Sequence, residues 1–147
     1  MKFISKSPKE TMARARILAE KLSKASLKKP LIIGLTGDLG AGKTTFVKGF
    51  VRGFGVRKKI MSPTFIIMRK LRARDGRDIY HIDAYRVGPD DFIKMGFKDF
   101  FQPTDIVIIE WAERLKKVLP PGTIWINLKH GPKNSRNDER HVTFNRR

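Results

Sequence analysis

A chain of 147 residues, 40% of them hydrophobic, is long enough for a single domain, 1–147, with a core of its own. It contains no cysteine, which excludes a disulfide framework and a thiolate metal site, and no apolar run near 18 residues, which excludes an ordinary membrane-spanning helix. Lys and Arg number 32 against 14 Asp and Glu, and the resulting +18 favours polyanionic partners and steep salt dependence.

In chain order, the opening stretch lacks the apolar segment of a secretory signal, so a cytoplasmic location is expected by elimination. Ser7 is the expected N-cap of a first helix, with Pro8 at its first position and Glu10 completing a capping box. Met12, Ala15, Ala19 and Leu22 form its apolar stripe. "LIIGLT" reads as a buried strand and "KTTFVKGFVRGF" as the helix after a glycine loop. "FIIMRKLRARDGRDIYHIDAY" reads as a hairpin turning at Asp75-Gly76. A short helix over "PDDFIKMGF" leads into a loop through Phe100, Phe101 and Pro103. "DIVIIEW" is a further buried strand, "AERLKKVL" a short helix stopped by Pro120-Pro121, and "TIWINLKH" and "HVTFN" are strands around a polar loop. Strands alternating with helices predict an α/β fold with a mainly parallel sheet and one antiparallel hairpin.

Gly37-Asp38-Leu39-Gly40-Ala41-Gly42-Lys43-Thr44 matches the G-x-x-x-x-G-K-S/T pattern at every fixed position. Glycines let main-chain N–H groups curl around phosphates, and the helix that follows aims its positive dipole end at them. Lys43 is placed to reach the outer phosphates, and the Thr44 hydroxyl to ligate magnesium. A strand before and a helix after complete the setting of a P-loop in a three-layer, P-loop NTPase-like fold. Hydrolysis needs a further acid at a neighbouring strand end, and both Asp83 and Glu110 have that position. Ser62-Pro63-Thr64-Phe65 offers a hydroxyl ahead of the hairpin, which by itself reads either as a switch loop or as a plain strand-entry turn. The guanine-selecting N-K-x-D motif is missing, which tilts base choice towards adenine. His81, His130 and His141 lack metal-ligand spacing and read as structural. Trp125 reads as a core residue, whereas Trp111 is assigned by pattern neither to the core nor to the site.

Thr11 in the opening helix, "GDLGAGKTTF", "SPTF", "HIDAYR", "EWAER" and the basic C-terminal strand region together resemble the TsaE family. These are small bacterial P-loop ATPases needed for threonylcarbamoyladenosine synthesis on tRNA. The resemblance implies that Gly40, Ala41, Gly42, Lys43, Thr44 and Thr45 bind ATP phosphates, with Thr44 on magnesium and Thr11 near the adenine. It makes Thr64 the switch-loop hydroxyl and places Trp111 on the rim. Asp83 and Glu110 would complete the magnesium and water arrangement, Glu110 being the stronger metal ligand. The implied partners are TsaD, which carries out the transfer, and TsaB, its scaffold. The implied role is an ATPase, weak in isolation, that regulates or resets that pair. Ala84 stands where the family often has Leu, and +18 exceeds the family's expected charge, which reads either as direct tRNA contact or as a solvated surface with the basic bias of its source proteome. Two rival functions use the same loop: a small kinase with Arg69–Arg77 as its lid, and a nucleotide-gated RNA-binding module.

Overall fold

The computed structural model of the chain describes residues 1–60 and 67–146. The "SPTF" stretch, Thr64 included, lies outside the described residues. At the centre stands β2 (Leu31–Thr36), paired in parallel with β5 (Ile106–Glu110) on one side and β6 (Ile124–His130) on the other. β4 (Asp78–Asp83) extends the parallel set beyond β5, and β3 (Met68–Arg72) folds back on β4 as the expected hairpin. On the opposite side β7 (Arg140–Arg146) runs antiparallel to β6, and β1 (Lys2–Ser5) antiparallel to β7. The full order is β1-β7-β6-β2-β5-β4-β3.

β5 shows why the centre is parallel and covered on both faces. Every residue of "IVIIE" is buried, the continuous apolar reading expected of such a strand. Ile106 and Ile108 point to one core with Phe46, Val47, Phe50, Ala15 and Ala19, while Val107 and Ile109 point to a second with Phe92, Phe97 and Leu115. The first core lies under α1 (Pro8–Ser23) and α2 (Lys43–Gly53). The second lies under α3 (Pro89–Lys94), α4 (Phe97–Phe100) and a 3₁₀ turn over Ala112–Leu115. That gives three layers. No described helix is long and apolar enough to cross a membrane.

α1 begins at the expected N-cap, with Ser7 accepting from the Glu10 amide at 3.1 Å and Pro8 in its first turn. The capping box does not close: Glu10 reaches past Ser7 to accept from the Lys6 amide at 2.8 Å. Its buried stripe is Thr11, Ala15 and Ala19, whereas Met12 and Leu22 are only half-buried. α1 and α2 pack closely because α2 offers Gly49 to the Met12 backbone; a Cβ there would overlap it. Gly49→Ala is therefore expected to cost about 1–3 kcal/mol through overpacking, read as a lower urea midpoint. An unchanged midpoint would mean that the two helices separate freely.

Three elements differ from expectation. β1 was not foreseen, because four residues reading "KFIS" carry too little alternation to announce a strand, and the antiparallel pairing of β7 with β6 makes both sheet edges antiparallel where one hairpin was expected. The helix over "PDDFIKMGF" breaks at Gly96 (φ 74°), and α4 forms where a loop was expected at Phe100. "AERL" winds as a 3₁₀ turn because the chain enters it through Trp111 in the left-handed region (φ 59°), and Arg114 N–H bonds back to the Trp111 carbonyl at 3.1 Å.

Candidate functional site

β2 ends at Thr36, and the chain turns at Gly37 (φ 143°), Gly40 (φ 74°) and Gly42 (φ 98°) before entering α2. Only glycine suits Gly37: besides its backbone angle, any Cβ would run into the Leu128 carbonyl of β6. Ala41 is fully buried and anchors the loop to the first core. Gly42 caps α2 without a side chain, so no side-chain cap covers the first-turn N–H groups of α2.

Lys43 is 5% exposed. Its ammonium donates to the carbonyls of Gly37 and, at 2.9 Å, Asp38, and lies 3.8 Å from the centre of the Trp111 ring. Burial lowers its pKa below the usual lysine value, against the opposing pull of Glu110, Glu113, Asp38 and Asp83. Trp111 reaches this place through its left-handed backbone, a conformation that costs a non-glycine residue about 1–2 kcal/mol. Its ring also packs on Tyr85, with centroids 5.0 Å apart. Trp111 thus covers the lysine, while Trp125 packs over Gly34 at the edge of the second core.

Thr44, next on α2, donates its hydroxyl to Glu110 Oε1 at 2.8 Å. The other carboxylate oxygen, Oε2, is 2.6 Å from Nε2 of His81, which is fully buried. Glu110 is itself buried, at the carboxyl end of β5 and in register with Leu35 on one neighbour and Asp83 on the other. Asp83 sits level with Glu110, but its Oδ1 accepts from the Tyr85 amide at 2.9 Å. Of the two acids, Glu110 is the one joined to Thr44.

The structure therefore brings together Gly37, Gly40, Ala41, Gly42, Lys43, Thr44 and Glu110, with Thr45 half-buried in the first turn of α2 and Asp83 beside Glu110. Thr11 is 1% exposed, its hydroxyl bonded to Ser5 Oγ at 2.7 Å and to the Ser7 carbonyl at 3.3 Å. His81 is a site residue that the search for metal-ligand spacing missed. The available signal was its place two residues before Asp83, which puts both side chains on one face of β4. Arg140 was also missed: its guanidinium donates to the Gly40 carbonyl at 3.1 Å, tying β7 to the glycine loop. No sequence pattern announces a contact between residues a hundred positions apart.

A hydroxyl and a carboxylate side by side supply hard oxygen donors, which suit magnesium. Among the described residues no group of three or more His, Asp or Glu could hold a metal by itself, so an ion here would take its remaining ligands from phosphate and water. The donors present fit that pattern.

A parallel-centred α/β sheet, with a glycine loop leading from its central strand into a helix, defines a P-loop NTPase-like fold. The chain resembles the crystal structure of Bacillus subtilis YdiB with a TM-score of 0.73 and 34% identity, covering 98% of this chain and 83% of that one. Residues 5–141 match the family described as "Threonylcarbamoyl adenosine biosynthesis protein TsaE". The tRNA threonylcarbamoyladenosine biosynthesis protein TsaE of Bacillus subtilis is 37% identical over 145 residues, 98% of this chain and 84% of that protein. Its namesake in Treponema pallidum is 34% identical over 130 residues, 88% of this chain and 91% of that protein. The chain belongs to the TsaE family.

Proposed function

We propose that this chain binds and hydrolyses ATP with magnesium as an accessory of tRNA threonylcarbamoyladenosine synthesis, and that it regulates or resets a TsaD–TsaB pair. The observation that carries the reading is the Thr44–Glu110–His81 chain of contacts beside an uncapped α2 N-terminus, in a protein of this family.

In this reading the loop N–H groups from Gly40 to Thr45 hold the phosphates, and Lys43 exchanges the Gly37 and Asp38 carbonyls for phosphate oxygens. A bound magnesium ion would supply positive charge to offset that of the phosphates. Thr44 and Glu110 hold it, and His81 keeps the Glu110 carboxylate from rotating away. Asp83 orients the attacking water, and Thr64 is assigned as the switch-loop hydroxyl. Thr11 supports the adenine end indirectly, since Ser5 and Ser7 already engage its hydroxyl. Turnover is slow for the protein alone and rises when TsaD and TsaB are added.

The test is reconstituted tRNA modification with and without this chain, wild type and Lys43→Ala. Free phosphate and restored modification by the wild type alone are expected. A phosphorylated acceptor would make the protein a kinase instead. A second expectation concerns His81. His81→Leu removes the donor to Glu110 and should weaken magnesium binding about 10–100-fold, measured by titration in the presence of a non-hydrolysable ATP analogue. His81→Asn, which keeps an N–H donor, should recover part of the loss. Wild-type affinity in both variants would reduce the histidine to packing.

A further inference from the structure

The two faces of the sheet are covered unequally. α1 and α2 lie along one face, but on the other the 3₁₀ turn, α3 and α4 cover only the part from β2 to β4. Among the described residues no helix of the second core lies over β6 and β7, and apart from Trp125 the residues of that face are polar. Trp125 pairs with Asn145 and Asn127 with Thr143 in the β6–β7 register, and Lys129 follows on the same face of β6. Lys129, Thr143 and Asn145 are exposed, and Trp125 and Asn127 are half-buried.

Where this face meets the 3₁₀ turn there is a cavity of about 700 Å³, lined by Trp125, Asn127, Asn145, Lys116 and Lys129, with the carboxylates Asp38 and Glu113 also on its wall. Thr36 and Gly37, at the start of the glycine loop, also line it. One part of Trp125 rests on Gly34, which fixes the ring. Asn127 Oδ1 is buried and has no hydrogen-bond partner among the described residues. An acceptor left so costs about 1–3 kcal/mol, and an incoming N–H group would recover it.

We propose that this cavity binds an unstacked nucleotide of single-stranded RNA. The base stacks on Trp125, a base N–H donates to Asn127 Oδ1, and the flanking phosphates meet Lys116 and Lys129. The chemistry favours a nucleotide over an acidic peptide because a fixed aromatic ring and two side-chain amides match the π-face and polar edge of a base, while the two lysines match its phosphates. This gives part of the +18 charge a definite place next to an aromatic ring: Lys129 lies four residues after Trp125 on β6, and Lys116 reaches the cavity from the end of the 3₁₀ turn. The proposal does not depend on ATP hydrolysis, although the shared wall at Gly37 would let RNA on this face sense the glycine loop.

The test uses the full chain carrying Trp111→Phe, so that Trp125 is the sole tryptophan. Titration with a short single-stranded oligoadenylate should quench Trp125 fluorescence, and labelled oligoadenylate should report the affinity of variants by anisotropy. Trp125→Leu and the double variant Lys116→Glu/Lys129→Glu should each weaken binding about tenfold. Asn127→Leu tests the same site should Trp125→Leu fold poorly, and should weaken binding about fivefold. Lys24→Glu, at the end of α1, should change it less than about twofold, and so should Lys43→Ala. Equal losses from Lys24→Glu would mean diffuse attraction to a basic surface, and a large loss from Lys43→Ala would place the RNA in the glycine loop. Oligoglutamate quenching Trp125 as strongly as oligoadenylate would assign the face to an acidic protein. Any of these three results overturns the proposal.

Discussion

Lys43→Met is expected to remove nucleotide binding while leaving the free protein as stable as wild type or more so. Lys43 is buried as a residue, and its ammonium is held by carbonyl oxygens and a tryptophan ring without a directly bonded carboxylate among the described residues. Burial is the main reason its pKa is lowered, so the folded state tolerates this charge at a cost. Methionine fills nearly the same volume without that cost, and replacing buried charge with apolar volume is commonly neutral or stabilising. The linkage has a definite sign. With its folded-state pKa lowered from 10.5, Lys43 binds fewer protons in the folded than in the unfolded chain. Its contribution to stability therefore rises as pH climbs through the lowered value towards 10.5, a rise Lys43→Met should lack. Thermal melts with and without magnesium–ATP check both parts. Wild type gains about 2.7 kcal/mol at a ligand concentration of a hundred times Kd, and the variant gains nothing. A variant that melts well below wild type without nucleotide would make Lys43 a structural residue.

Glu110→Gln is expected to lower ATP turnover about 100-fold or more with the fold intact. The amide keeps the shape of the side chain, and its oxygen still accepts from Thr44. Its NH₂ group faces His81 Nε2, which accepts once the ring proton moves to Nδ1. That nitrogen is buried with no partner among the described residues, so the exchange costs about 1–3 kcal/mol of stability, and the melt should show it. What disappears is the negative charge that offsets a metal at Thr44. Asp83→Asn is the comparison: its oxygen keeps the bond from the Tyr85 amide, so the turn survives. Phosphate release by the two variants separates their roles. A larger loss from Asp83→Asn than from Glu110→Gln would exchange the assignments of the two acids.

The glycine loop was legible because its chemistry is local. Positive backbone angles at Gly37, Gly40 and Gly42, and a lysine and threonine at fixed distance from them, depend on neighbours in the chain. The central strands were legible for a related reason: "LIIGLT" and "DIVIIEW" are apolar throughout because both faces of the sheet are covered, and that needs no knowledge of which strand lies beside which. Glu110 followed from the end of "DIVIIEW", and Asp83 from the end of the alternating strand "DIYHID".

Strand order and register were not legible, and they decided what each site residue touches. Placing β5 between β2 and β4 is what sets Glu110 against Thr44 and His81, an arrangement built from residues 29 and 66 positions away in the chain. Pairing β6 with β7, and bracing both on the glycine loop through Leu128 and Arg140, likewise joins residues that share no motif. Sequence patterns report what a residue needs from its neighbours along the chain, such as a turn, a cap or an apolar face. Contacts between distant strands are selected by burial of the whole sheet, and only the folded chain carries that choice.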